Sequence, residues 1–113
     1  MLVAGEPSGD QLGAQLMAGL KIISAEFNRE IKIVGVGGEA MTQAGLDSIY
    51  SLDATSVMGL REVVPRIPEI LRRVAAAIRF ALDIRPDLVV LIDSPDFTHR
   101  IARGLKRADP SIR

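Results

Sequence analysis

Arg85-Pro-Asp-Leu-Val-Val-Leu-Ile-Asp-Ser-Pro-Asp-Phe97 is the stretch on which the fold turns. Leu88 to Ile92 form an apolar run between a proline break and a polar turn. Such a run reads as a strand buried on both faces, the kind found in parallel sheets covered by helices. Upstream, Ile70, Leu71, Val74, Ile78 and Leu82 recur at helical spacing. They predict a helix with Pro68 in its first turn, ending near Asp83, with those residues as its buried stripe. Downstream, Asp96 before Phe97 suits a helix N-cap, and the last helix runs to about Ala108, where Asp109-Pro110 ends it.

The same alternation precedes this stretch. Leu2-Val-Ala4 reads as a short strand closed by Gly5-Glu-Pro-Ser-Gly-Asp10. Leu12, Leu16, Leu20 and Ile23 then predict a helix facing a core, with Ser8 and Gln11 as a capping box. Ile31 to Val36 is a second strand ending in Gly37-Gly38, and a short helix over 39–44 stops at Gly45. Ser48 to Tyr50 reads as a small extra strand, and 51–59 as a loop. Strands and helices alternating at this spacing form βαβ units with right-handed crossovers. The predicted fold is therefore α/β: a Rossmann-like open parallel sheet with helices on both faces. The first strand is short and a further strand normally follows the last helix, so an incomplete sheet is expected.

Composition narrows the function. The chain has 113 residues, room for one domain, with 48% apolar and 25% charged residues. Aromatics are 4% with no Trp, which argues against a stacking surface for nucleic acid. With no Cys and one His (His99, read as a surface or capping residue), neither a disulfide framework nor a structural zinc site is expected. A lack of Cys also fits a reducing cytosol. No apolar run approaches the roughly 20 residues of a membrane-spanning helix, and the N-terminus lacks a signal-peptide pattern. The 14 basic and 14 acidic residues cancel, yet residues 1–56 carry three basic against seven acidic groups and residues 57–113 the reverse excess. Arg61, Arg66, Arg72, Arg73, Arg79 and Arg85 dominate the basic half. With Val57, Met58, Leu60, Val63, Val64 and Ile67 ahead of the main helix, they suit an anionic lipid surface, while ordinary statistics favour a core-facing helix with a solvated basic side.

In open parallel sheets, ligands bind beyond the carboxyl ends of the strands. Three turns meet that condition: Gly5–Asp10, Gly37-Gly38 and Asp93–Asp96. The first lacks the Lys and Ser/Thr of a P-loop and the spacing of a dinucleotide fingerprint. Its Glu6 and Asp10 suit sugar hydroxyls better than phosphate, unless Ser8 merely caps the helix and Asp10 favours its dipole. Gly37-Gly38 offers close backbone approach to a ligand or simply a tight turn. Asp93 follows the buried run directly, where desolvation would raise its pKa toward the work of a base, unless it only accepts hydrogen bonds from the next turn.

Four motifs occur together: Leu2-Val-Ala-Gly-Glu-Pro-Ser-Gly-Asp-Gln-Leu-Gly13; Val34-Gly-Val-Gly-Gly38 with Met41 and Gly45; Val57-Met-Gly-Leu-Arg-Glu-Val63; and Arg85 to Phe97. In this order and spacing the chain resembles the N-terminal part of the lipid-A-disaccharide synthase family, inverting glycosyltransferases of Gram-negative bacteria. The resemblance implies part of the N-terminal, acceptor-side domain of a B-type glycosyltransferase fold, with no metal or other cofactor. It implies transfer from UDP-diacylglucosamine to diacylglucosamine 1-phosphate, on the cytoplasmic face of the inner membrane. Asp93 matches the family's proposed general base. Glu6, Ser8, Gly9, Asp10, Gly37, Gly38 and Met58 match substrate-binding positions. Val57, Leu60, Val63, Val64, Ile67, Arg66, Arg72 and Arg73 match the part expected to meet acyl chains and membrane. The resemblance gives no counterpart of the UDP-binding domain, so residues 1–113 are expected to lack transferase activity alone. Two alternatives remain from the residues themselves: a receiver-like phosphoacceptor, and a nucleotide-binding regulatory module.

Overall fold

A computed structural model describes residues 1–50 and 60–113, with backbone alone over 60–67. The elements are β1 (Leu2–Ala4), α1 (Pro7–Glu26), β2 (Gly35–Val36), α2 (Glu39–Gln43), α3 (Leu60–Ile84), β3 (Val90–Ile92) and α4 (Pro95–Ala108). The strands form an open parallel sheet in the order β2-β1-β3. Leu2 pairs with Gly35 and Val90, and Val3 with Val36 and Leu91. This is the α/β, Rossmann-like arrangement that the alternation of strands and helices predicts.

β1 shows why helices occupy both faces. Its side chains alternate across the pleat. Val3 packs with Val36, Val74, Ala77, Ala81, Phe97, Ile101 and Leu105, so α3 and α4 cover that face. Leu2 and Ala4 pack with Met17, Met41 and Leu46, so α1 and α2 cover the other. A three-residue strand buried on both sides can sit only at the centre of such a sandwich. The edge strands are less protected. β3 is half-buried rather than buried on both faces, and Leu88 just before it is 55% exposed. β2 is confined to Gly35–Val36, shorter than the apolar run from Ile31, and Ser48 contributes one parallel bridge to Gly35 rather than a strand.

Three further departures have physical causes. α1 buries Gly9, Asp10, Gly13 and Met17. Leu12, Leu16 and Ile23, expected to face the core, are 55%, 37% and 47% exposed. Small residues on the buried side let the helix lie close to the sheet and α2, which leaves the larger leucines pointing outward. α3 begins at Leu60, ahead of Pro68. A proline's fixed φ is compatible with a helical path, so the helix continues through Pro68 at the loss of an N–H donor. In the expected stripe Val74 is buried, with Ala77 and Ala81 beside it, but Leu71 is 46% exposed. α4 begins at Pro95 with Ser94 as N-cap, placing Asp96 in the first turn instead of at the cap.

α2 ends as its glycine predicts. Leu46 N donates to Met41 O and Gly45 N to Thr42 O, both at 3.0 Å, while Gly45 adopts φ 109°. This is a Schellman closure, with the apolar Leu46 folded back into the core.

Candidate functional site

The first loop and the turn after β3 meet at the carboxyl edge of the sheet. α1 starts at Pro7 with Glu6 as its N-cap, and no side chain caps it. Ser8 therefore lies inside the first turn rather than at the cap, and the capping-box reading is replaced by a long-range contact. The Ser8 hydroxyl donates to Asp93 Oδ2 across 85 residues of sequence. Asp93 Oδ1 accepts from the amide of Ser94 at 2.8 Å. Both Asp93 and Ser94 adopt left-handed backbone, at φ 60° and 48°. Two consecutive non-glycine residues in that region are strained, and surrounding contacts must hold them there.

Those contacts are close. A Cβ at Gly5 would overlap Ser94 Cβ, and one at Gly9 would lie 3.0 Å from the carbonyl oxygen of Ile92 and 3.1 Å from Asp93 Cβ. Thr98, buried in α4, donates its hydroxyl toward the carbonyls of Asp93 and Ser94, each at 3.2 Å. Gly5 and Thr98 thus join the residues that the sequence alone marks at this edge. The visible signals are the Gly5-x-x-x-Gly9 spacing and a Thr four residues after Ser94.

Asp93 is exposed, and its carboxyl is held below the ordinary carboxylate value, first by the Ser8 hydrogen bond and then by that of Ser94. The direction is opposite to the raised pKa expected from desolvation. The strand ahead of Asp93 is a half-buried edge strand, so the carboxylate keeps its water and gains two donors.

Asp10 is used differently. It is 6% exposed, and its carboxylate accepts from the amides of Gly38 (2.8 Å), Ala40 (2.9 Å) and Met41 (2.9 Å). It closes the start of α2, not of its own helix, and fixes the Gly37-Gly38 turn. Gly37 is buried and donates to Ser48 Oγ at 3.1 Å. The Gly37-Gly38 turn thus takes its form from contacts within the chain. Glu6 remains exposed beside Ser8 and Asp93's turn.

Of the positions matched to lipid contact, Arg72 is exposed. Arg73 is half-buried: its guanidinium pairs with Glu69 at 3.0 Å and lies 4.8 Å from the Tyr50 ring centre. The Tyr50 hydroxyl donates to Arg73 O at 3.0 Å, and burial pushes its pKa far up against the opposing pull of Arg73. Val57 and Met58 lie outside the described residues, as do the side chains of Leu60, Val63, Val64, Arg66 and Ile67. Among the described residues no helix is long and apolar enough to cross a membrane.

The geometry defines an open parallel α/β sheet with a carboxylate and a hydroxyl at the carboxyl edge of its strands, the edge beyond which open parallel sheets bind ligands in general. A family model for lipid-A-disaccharide synthetase matches residues 1–113, and the chain belongs to that family. It is 52% identical over 106 residues to the lipid-A-disaccharide synthase of Alcanivorax borkumensis, covering 92% of this chain and 26% of that protein. It is 46% identical over 111 residues to the enzyme of Rhodopseudomonas palustris strain HaA2, covering 98% and 28%. With that of Paramagnetospirillum magneticum it shares 50% over 105 residues, covering 93% and 26%. The chain thus spans about a quarter of the length of these curated relatives. Family membership removes the receiver-like and regulatory-module alternatives.

Proposed function

We propose that this chain forms the acceptor-side part of an inverting glycosyltransferase of lipid A biosynthesis, with Asp93 as general base. The substrates in this reading are UDP-diacylglucosamine and diacylglucosamine 1-phosphate. The observation that carries it is an ionised, solvent-facing Asp93 at the carboxyl end of β3, held in place by the first loop. In the reaction, the acceptor 6-hydroxyl oxygen attacks the anomeric carbon from the face opposite UDP. The bond to UDP breaks, UDP leaves with the electron pair, and the hydroxyl proton passes to Asp93. Its lowered pKa keeps Asp93 in the base form, and dehydration by bound substrate raises its basicity during the step. Glu6 borders the acceptor sugar, while Ser8, Gly9, Asp10 and Gly38 build the wall behind it. The UDP site belongs to a C-terminal domain outside residues 1–113. Exposed Arg72 and Arg79 meet anionic lipid on the cytoplasmic side of the inner membrane, and the apolar sequence over 57–67 supplies the acyl-chain contacts.

The test is a chimera in which residues 1–113 replace the matching segment of the Alcanivorax borkumensis relative. Asp93→Asn is expected to slow UDP release about 10²- to 10⁴-fold, the usual contribution of a positioned base. Near wild-type turnover with an unchanged pH profile removes Asp93 from that role. The isolated chain is expected to show no turnover, and activity there overturns the two-domain reading. Flotation with anionic liposomes tests the lipid surface: equal absence of binding at low and high salt refutes it.

A further inference from the structure

We propose that Gly5, Ser8 and Gly9 form a clamp that positions Asp93, with Ser8 acting through Asp93 rather than on the sugar. This rests on Asp93 being the base and adds the device that aims it.

The backbone at Asp93 and Ser94 is left-handed at two successive residues, a conformation that relaxes unless something blocks the alternatives. Three contacts from α1's start do so. Gly5 leaves just the space that Ser94 Cβ occupies, so any side chain there displaces the turn. Gly9 lets α1 approach the last carbonyl of β3. Ser8, between them, places its hydroxyl on Asp93 Oδ2 while Ser94 N occupies Oδ1. With one donor on each oxygen the carboxylate plane is set, and lone pairs remain for an incoming hydroxyl. Thr98 secures the same turn from the opposite side. The glycines of this loop therefore serve a close approach between two segments of the chain. The titratable groups at the start of α1 are Glu6 and Asp10, and those in the first two turns of α4 are Asp96, His99 and Arg100. The Asp93 titration is moved by the Ser8 and Ser94 hydrogen bonds, which outweigh its slight desolvation.

Two measurements test the clamp. In the 113-residue chain, carboxyl carbon NMR follows Asp93 titration in wild type, Ser8→Ala, Ser8→Cys and Ser8→Thr. Loss of the strong donor is expected to move the Asp93 midpoint up in the Ala and Cys variants, and Thr to restore it. In the chimera, Ser8→Ala and Gly5→Ala are each expected to lower kcat about tenfold or more with KM within about twofold, and Ser8→Thr to recover most of the rate. A Ser8→Ala chimera with normal kcat, beside an inactive Asp93→Asn, overturns the clamp and leaves the base intact. A raised KM at unchanged kcat also overturns it, because Ser8 then touches substrate. Full activity in Asp93→Asn instead removes the base reading on which the clamp rests. An unmoved NMR midpoint in both Ser8→Ala and Ser8→Cys overturns it independently of activity.

Discussion

Asp10 and Asp93 lie at opposite ends of the contacts made by one short loop, yet the fold uses them in opposite ways. Asp10 is buried and accepts three amide hydrogen bonds from α2. Asp93 is exposed and accepts from one hydroxyl and one amide. A carboxylate offers about four acceptor directions, so Asp10 has spent most of its capacity inside the chain. Asp93 keeps half of its own for a ligand. Both are acids beside glycines at a sheet edge, and only the source of their donors separates scaffold from chemistry.

The largest effect on stability should therefore come from Asp10. Asp10→Ala strands three amides at the start of α2 and is expected to cost about 3 kcal/mol or more by urea unfolding. Asp93→Asn should shift the unfolding midpoint only slightly, because the side chain is exposed. Equal losses in the two variants would erase the distinction between them. A smaller loss, about 1 kcal/mol, is expected for Ser48→Ala, which removes the acceptor of Gly37 N and the donor to Tyr50 O. If Ser48→Ala proved costlier than Asp10→Ala, the turn before α2 would be anchored from Ser48 instead.

The contrast also marks what the sequence could reveal. Asp93 was legible because its position follows from an apolar run that ends at it, and the sheet edge is where open parallel folds bind ligands. The role of Asp10 was not, because its donors lie 28 to 31 residues away and belong to backbone. The sheet and its two helical layers followed from apolar runs, but the orientation of α1 did not. Its buried side is built from Gly9, Asp10, Gly13 and Met17, of which Met17 alone carries a hydrophobic signal, while outward Leu12 and Leu16 both carry a strong one. The start of α3 at Leu60 is not legible from Pro68, because proline marks helix beginnings only statistically. Leu12→Gln tests the orientation directly: at an exposed site it should change stability by less than about 0.5 kcal/mol. A loss of core size, about 2 kcal/mol or more, would mean that Leu12 is buried after all.

The smallest effect is a pH dependence at Asp93. Asp93 has a folded pKa below the ordinary 3.8, set mainly by Ser8. A depressed carboxylate stabilises the fold above its unfolded pKa, and that stabilisation disappears as pH falls through the folded value. The difference in unfolding midpoint between wild type and Ser8→Ala should thus be constant from neutral pH down to about 5 and shrink below about 4. Asp109, lowered by Ser111, titrates in the same direction but is common to both proteins and cancels in that comparison. Because Asp93 is exposed, the difference should be slight and best read as a slope against pH. A difference that instead grew on acidification would mean that Ser8 favours the protonated carboxyl, reversing the hydrogen bond on which the contrast with Asp10 depends.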